Sequence, residues 1–235
     1  MKIRCVWEHN GDDSIIYSDN FIGAFARGRT KEIALGKMAD EVRSYLRWKN
    51  ESVPESFETE IVQEKISDLN ISDADSDVLF ETEKGALDLA EYEELKALAL
   101  RSARDFLALY ESIPDKSRSC LPSRQTFYGD APRTAFEMYE HTKNVNEYYF
   151  SEIGVEADNE GTILSCRTRG FDLLEAQPDF LNSTVFEGSY GEEWSLRKVL
   201  RRFIWHDRIH AKAMYRMAVK TFGVDAVPNI FQFVL

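Results

Sequence analysis

Long apolar runs, a disulfide pattern and an excess of basic charge are all missing from this 235-residue sequence. No apolar stretch approaches the roughly 20 residues that a membrane-spanning helix requires, so we expect no membrane insertion. Cys5, Cys120 and Cys166 are an odd number without a CxxC spacing, which argues against a disulfide framework and fits a reducing compartment. Residues 1–5 do not begin an apolar secretion signal. We therefore expect a cytoplasmic protein.

Basic residues are outnumbered, because 29 lysines and arginines stand against 41 aspartates and glutamates, for a formal net charge of −12. Phosphate groups would repel so acidic a chain, which disfavours nucleic acid as a partner. Hydrophobic residues make up 43% of the sequence and aromatic residues 12%, so a packed core is expected. Nucleic acid is therefore an unlikely partner.

The N-terminal part of the chain, residues 1–66, has the patterns of strands and one helix. The predicted strands span residues 3–8, 14–17, about 23–28 and 57–66. Asn10-Gly11 is the expected turn between the first two strands. Thr30 is the expected N-cap of a helix that ends near residue 49. These elements predict a small α+β domain.

Helical spacing begins near residue 90 and continues through most of the remaining chain. The four predicted helices span residues 90–113, 131–153, 162–177 and 193–222. Four such helices predict an antiparallel four-helix bundle over residues 89–224, so the fold class is an α+β domain followed by an all-α bundle. The acidic, weakly patterned residues 67–88 are interpreted as a linker. The apolar tail, residues 225–235, is expected to pack on another part of the chain, with the N-terminal domain as one candidate.

Three of the four histidines lie in the helical half of the chain. His206 and His210 are four residues apart on the fourth helix, so they lie on one face. At about 100° per residue, that face also carries Phe203 and Met214, which makes it the core-facing side. His141 lies midway along the second helix, also in an apolar stripe. Three inward imidazoles would suit one ion of zinc, nickel, iron or cobalt, with one position left open for water or substrate.

The alternative for each of these histidines is a core residue that is simply hydrogen-bonded. Glu137, Asn144 and Tyr148 are candidates to orient an imidazole or a bound water, although we favour ordinary polar helix residues. Asp207, turned about 100° from its histidine neighbour, is expected to be a surface charge or to form an interhelical ion pair. Cys166 is either a reactive thiol or, as we favour, a small buried residue. The fourth helix also carries a stripe of basic residues that could bind a carboxylate-rich thiol or a partner protein, although we favour a solvated face paired with acidic residues. These residues are Arg197, Arg201, Arg208, Lys212 and Arg216.

The H-D-R-I-H sequence at residues 206–210, the amphipathic turn before it and the histidine on the second helix resemble the DinB/YfiT-like superfamily over about residues 88–222. Members of this superfamily are four-helix bundles with a three-histidine metal site. Several are metal-dependent S-transferases that use a low-molecular-weight thiol such as bacillithiol or mycothiol, and many have no established activity. The resemblance implies that His141, His206 and His210 bind a divalent metal and that a thiol attacks a small electrophile. No catalytic residue is assigned. Bundles of this kind often form homodimers.

Residues 23–35, GAFARGRTKEIAL, resemble the HicB-like fold, a small α+β domain related to part of ribonuclease H, over about residues 1–65. In HicB antitoxins this fold binds a toxic ribonuclease and is joined to a DNA-binding domain. A helical segment without a helix–turn–helix pattern follows it here, so antitoxin function is not extended to this chain. The alternative to an enzyme is therefore a non-catalytic metal- or ligand-binding stress or regulatory module whose N-terminal domain binds a protein.

Overall fold

The computed structural model describes residues 1–11, 13–182 and 184–234. They form a mixed four-stranded sheet, two short two-stranded ribbons and five α-helices, so the protein is α+β. The chain divides into two compact units, one of Met1–Glu83 with Phe231–Leu235 and one of Lys84–Ile230. None of the described helices is both long enough and apolar enough to cross a bilayer.

The first unit is built on the four-stranded sheet, whose strands follow the order β3-β2-β1-β4. Its elements are β1 (Lys2–His9), β2 (Ser14–Ser18), β3 (Phe25–Gly28), α1 (Lys31–Lys49) and β4 (Glu58–Ile66). Strands β1 to β3 pair antiparallel, and β4 pairs parallel to β1 with a bulge between Cys5 and Val6. A parallel neighbour requires a crossover connection, which α1 supplies.

Helix α1 begins and ends where its sequence predicts. The Thr30 side chain accepts a hydrogen bond from the Ile33 amide at 3.4 Å, and Asn50 closes the helix in the left-handed region with φ of 61°. Ala34 and Met38 lie one turn apart and are fully buried. The amphipathic pattern therefore fixes the face that α1 packs against β2 and β3.

Segments outside these elements complete the first unit. Residues 67–83, interpreted from the sequence as part of an acidic linker, contain short 3₁₀ helices at Ile71–Asp73 and Glu81–Glu83 and bury Phe80. In the C-terminal tail, the Phe231 ring stacks on Trp48 with centroids 5.2 Å apart. The end of the tail thus packs against α1, which belongs to the N-terminal domain named as a candidate from the sequence.

The second unit contains the remaining four α-helices. They are α2 (Leu89–Ser112), α3 (Ala135–Ser151), α4 (Ile163–Glu175) and α5 (Leu196–Phe222). Its short hairpins pair β5 (Gln125–Thr126) with β6 (Gly129–Asp130) and β7 (Phe186–Glu187) with β8 (Glu193–Trp194). Helix α5 packs on α2 and α3, and α4 packs on the same two helices.

Two of the predicted helix starts were wrong. Helix α5 begins at Leu196 instead of residue 193, because residues 193 and 194 pair with β7 as a strand. Helix α3 begins at Ala135 instead of residue 131, because Thr134 and Glu137 form a capping box there. Pairing with a distant strand is invisible to local helical spacing, whereas the capping box is a local signal that the prediction overlooked.

The basic face of α5 is not solvated as the sequence suggested. Arg201 and Arg208 have 1% and 0% of their surface exposed, while Arg216 is exposed as predicted. Every residue of α5 from Lys198 to Arg208 is buried. The helical projection shows where a side chain points, but not whether other side chains cover it. The prediction of a solvated face was therefore wrong over this half of α5.

Candidate metal centre

The structure brings the three predicted histidines together. His206 and His210, one turn apart on α5, have ring centroids 4.4 Å apart. The His141 ring of α3 lies 5.3 Å from that of His206 and 4.6 Å from that of His210. One nitrogen from each ring lies within 4.8 Å of the other two. The triad is close enough to bind a single metal ion.

Local interactions hold α3 in the position that presents His141. Thr134 accepts a hydrogen bond from the Glu137 amide at 3.1 Å, and the Glu137 carboxylate accepts one from the Thr134 amide at 3.0 Å. The Glu137 carboxylate also accepts a hydrogen bond from the Arg133 amide at 2.9 Å, and this bond is the largest cause that lowers the pKa of Glu137, with the bond from the Thr134 amide adding to it. Buried Met138 then packs one turn before His141. Glu137 is therefore engaged in starting the helix.

The triad has a buried side and a more open side. His206 is only 7% exposed, and its ring contacts those of Tyr149, at 5.9 Å between centroids, and Trp205, at 6.1 Å. His141 and His210 are half-buried. A ligand approaching from solvent would therefore meet His141 and His210 first, with aromatic rings behind the third imidazole.

Burial sets the electrostatics of the triad. Loss of solvation lowers the pKa of His141, and lowers the pKa values of His206 and His210 well below the usual range. For His206, the two other histidines and then the positive charge of Arg202 add to that effect. At neutral pH the three rings are thus neutral, and each retains a nitrogen lone pair.

The residues present fit a transition-metal ion. The Nδ1 atom of His206 is buried and has no hydrogen-bond partner among the residues that the structure describes. A buried ring nitrogen without a partner is costly, so a fold retains one where a ligand or a function compensates for that cost. Imidazole donors suit zinc, iron, nickel and copper, whereas magnesium and calcium prefer oxygen ligands. The donor set therefore favours a transition metal.

The polar residues considered for a supporting role lie in other surroundings. Glu137 caps α3, Asn144 is exposed, and the Tyr148 ring packs edge-on against Trp194 with centroids 5.8 Å apart. These placements agree with the favoured interpretation of ordinary helix residues. Cys166 is fully buried, its thiol donates to the Ile163 carbonyl at 3.4 Å, and burial raises its pKa. It is thus a packed, protonated thiol, as favoured.

Asp207 is fully buried, so of its two alternatives the surface charge was wrong and the interhelical ion pair is confirmed. Its carboxylate pairs with both terminal nitrogens of Arg167 on α4, one of them at 3.2 Å, and accepts a hydrogen bond from Ser102 of α2 at 2.5 Å. Burial raises the pKa of Asp207, an effect that the guanidinium opposes. The 100° turn from His206 directs the side chain toward two other helices instead of solvent.

Sequence reasoning missed two aromatic neighbours of the triad. The Tyr128 ring stacks on His141 with centroids 5.7 Å apart and an interplanar angle of 26°. The Tyr149 ring meets His206 nearly at right angles. Helical spacing could have found Tyr149, because it lies eight residues after His141 on a neighbouring face of the same helix. Tyr128 lies between the predicted helices of residues 90–113 and 131–153, where helical spacing carries no information.

Comparisons with protein-family models, curated proteins and solved structures gave no match to this chain. The function assigned to the triad must therefore come from the chemistry of its own residues.

Proposed function

We propose that the protein binds one divalent transition-metal ion through His141, His206 and His210, in a four-helix bundle of the DinB/YfiT-like kind. The observation that carries this proposal is the approach of the three ligand nitrogens to within 4.8 Å of one another. The packing of the helices supports the bundle, since α2, α5, α3 and α4 follow one another as neighbours in a closed cycle. The buried, unpartnered Nδ1 atom of His206 supports the metal.

The activity we propose for this centre is thiol S-transfer to a small electrophile. When bound, a divalent ion would lower the pKa of a thiol at its open position. In the transfer, the thiol loses its proton to solvent and its sulfur forms a bond to an electrophilic carbon. The leaving group departs with the electron pair of the bond that breaks. The protein would admit the reactants on the side of half-buried His141 and His210, while Tyr149 and Trp205 keep water from His206.

A non-catalytic module is the second candidate, and one observation favours it. The two acidic residues considered beside the triad have other roles, since Glu137 caps α3 and Asp207 is paired with Arg167. A site without an acid or base suits storage or sensing of a metal or ligand. The N-terminal unit would then bind a protein, as its proposed HicB-like fold suggests. The strand order β3-β2-β1-β4, with α1 crossing to a parallel edge strand, supports that fold.

Metal content measured by mass spectrometry tests the proposal. Purified protein would be reconstituted with zinc, nickel or iron and freed of excess ion. We expect about one ion per chain in the wild type and less than a tenth of that in His206→Ala and His210→Ala. The matched control is His9→Ala, because His9 belongs to the first unit and pairs with Glu64 there. A wild type that retains no metal after reconstitution would overturn the proposal.

A conjugation assay separates the two candidates once metal is bound. Cysteine, glutathione, bacillithiol and mycothiol would each be offered with 1-chloro-2,4-dinitrobenzene, and thioether formation followed by absorbance. Turnover that requires the metal and disappears in His210→Ala supports the transferase. Metal binding without turnover of any thiol, across a panel of electrophiles, favours the non-catalytic module.

A further inference from the structure

The hairpin of β5 and β6 carries two exposed aromatic side chains beside the triad. Phe127 and Tyr128 form the two-residue turn between the strands and are 59% and 43% exposed. Their rings meet edge-on at 4.9 Å, and the Tyr128 ring stacks on His141. The tip of the hairpin thus lies at the half-buried side of the triad.

Turn geometry does not account for these two residues. Two-residue hairpin turns favour asparagine, aspartate and glycine, whose backbones adopt positive φ without strain. Here only the following residue, Gly129, has a positive φ, of 113°. Each exposed aromatic ring also leaves apolar surface in water at a cost of about 25 cal/mol per Å². Single exposed rings are common, but two adjacent exposed rings, one of which stacks on an imidazole of the triad, indicate a surface that a ligand covers.

The hairpin is closed firmly enough to hold the rings in place. The Thr126 hydroxyl donates to the Gly129 carbonyl at 2.8 Å, and the Ala131 amide donates to the Arg124 carbonyl at 2.8 Å. The Gln125 amide also donates to the Asp130 carboxylate across the pair. Rings fixed in this way are pre-organised, so a ligand would lose little binding energy in ordering them.

We propose that Tyr128, supported by Phe127, is the specificity-determining surface of the metal centre and selects ligands with a flat aromatic group next to the metal-binding atom. This inference rests on the proposed function and names its substrate class, an aromatic thiol or aromatic electrophile. Stacked and edge-on rings with centroids 4.5–7 Å apart gain energy beyond simple burial, which an aliphatic ligand would not gain. His141 and Tyr128 together would then fix the ligand's orientation.

Two hydroxamates that share one metal-binding head group test the inference. Benzohydroxamate carries an aromatic ring and acetohydroxamate a methyl group, and their dissociation constants for the zinc-loaded protein would be measured by calorimetry. We expect the wild type to prefer benzohydroxamate and Tyr128→Ala to reduce that preference roughly 3- to 10-fold, the gain of one aromatic pair. Affinity for acetohydroxamate and for zinc should stay unchanged. Tyr128→Phe, which keeps the ring, should keep the preference.

Tyr190→Ala is the matched control, because Tyr190 lies in the connection between β7 and β8 and is 97% exposed. It should bind both hydroxamates as the wild type does. A preference for benzohydroxamate that survives in Tyr128→Ala overturns the inference. An equal rise in the affinity of Tyr128→Ala for both hydroxamates also overturns it, because Tyr128 would then block access to His141. Zinc binding without binding of either hydroxamate also overturns it and leaves metal binding standing. Absence of zinc overturns the proposed function, and this inference with it.

Discussion

His206 and Asp207 are neighbours on α5, but their side chains belong to two buried polar clusters of different kinds. Asp207 is paired with Arg167 of α4 and bonded by Ser102 of α2, so opposite charges compensate one another within the chain. His206 lies among two other neutral imidazoles, and its Nδ1 atom has no hydrogen-bond partner among the described residues. In one cluster a carboxylate and a guanidinium compensate each other, although the Nε atom of Arg167 also has no hydrogen-bond partner among the described residues, whereas the other consists of three imidazoles without an opposite charge.

This difference distinguishes the Asp207 cluster, which is structural, from the histidine triad, which is a candidate binding site. Buried charges that are paired tie helices together, and removing one partner leaves the other exposed to a low-dielectric interior. Buried polar atoms without partners lower stability, and a fold retains them where a ligand or a function compensates. We therefore attribute the Asp207 cluster to the packing of α2, α4 and α5, whereas metal binding is the role that we propose for the triad.

Asp207→Leu should have the largest effect on the folded state. The substitution leaves the buried Arg167 guanidinium without its counter-charge, so the free energy of unfolding should fall by about 3–5 kcal/mol. Urea unfolding followed by circular dichroism measures the loss. The double variant Arg167→Met with Asp207→Leu should recover most of it, because apolar side chains then replace both charges. A single variant as stable as the wild type would contradict a structural role for the pair.

The exposed pair of Asp158 and Arg169 provides the control for that experiment. Its side chains are 47% and 42% exposed, so solvent screens the interaction. Asp158→Ala should therefore leave the unfolding midpoint nearly unchanged. A loss as large as that of Asp207→Leu would mean that ion pairing in general, and not burial, explains the effect.

Glu8 in the first unit extends the comparison to a buried carboxyl group. Its hydrogen-bond donors among the described residues carry no positive charge. It is fully buried and accepts hydrogen bonds from the Ser76 hydroxyl at 2.6 Å, the Asp77 amide at 3.1 Å and the Tyr17 hydroxyl at 3.3 Å. Burial raises its pKa from 4.5 to about 7, against the effect of the Ser76 bond and with a contribution from the charge of Asp77. Below about pH 7 this carboxyl therefore holds its proton, and it lacks the guanidinium that opposes the same effect of burial at Asp207.

Glu8→Gln should therefore stabilise the protein at alkaline pH. The pKa of Glu8 is higher in the folded state than in the unfolded state. Its contribution to the free energy of unfolding is therefore fully present below pH 4.5, decreases between pH 4.5 and about 7, and is lost above that. The variant should remove this slope and gain on the order of 3 kcal/mol at pH 8. Urea unfolding at pH 5 and pH 8 measures the difference. Parallel pH profiles for the two proteins would contradict a buried, proton-binding Glu8.

Zinc should stabilise the protein through the triad and not through the ion pair. At a free zinc concentration 100 times the dissociation constant, a ligand that binds only the folded state adds about 2.7 kcal/mol. Thermal unfolding with and without zinc measures the gain. His9→Ala should show the full shift and His210→Leu none. An equal shift in both variants would place zinc elsewhere on the chain.

His206→Leu should have the smallest effect on the metal-free protein. Leucine removes a buried ring nitrogen without a hydrogen-bond partner, so stability should stay within about 1 kcal/mol of the wild type or rise. The same urea experiment as for Asp207→Leu compares two leucines at adjacent positions. A loss of several kcal/mol in metal-free His206→Leu would show that the histidine serves packing, as Asp207 does.

Local signals predicted the elements and part of the site. Thr30 and Thr162 cap α1 and α4 where the helical patterns begin, and the spacing of His206 and His210 placed both on the core face of α5. These features depend on residues a few positions apart. The place of His141 beside them came from the family resemblance together with its apolar stripe.

Other features depend on contacts between distant residues, which spacing does not contain. The burial of Asp207 follows from Arg167, which lies 40 residues earlier in the chain. Arg201 is buried although its helical position predicted a solvated face. The start of α5 depends on the pairing of β8 with β7. Tyr128 reaches His141 only because a hairpin folds back toward α3. The helical spacing predicted the direction in which each side chain of α5 points, but it could not predict which residues surround that side chain.

Titration with cobalt(II) tests the three-histidine centre most directly, because visible absorption reports both the number of ions and their ligands. The wild type should develop d–d bands that saturate at about one equivalent, and His141→Leu should lose or shift them, since only α3 supplies the third imidazole. The control Asp158→Ala should match the wild type. A wild type without such bands, or a His141→Leu spectrum identical to it, would contradict a metal centre built from His141, His206 and His210.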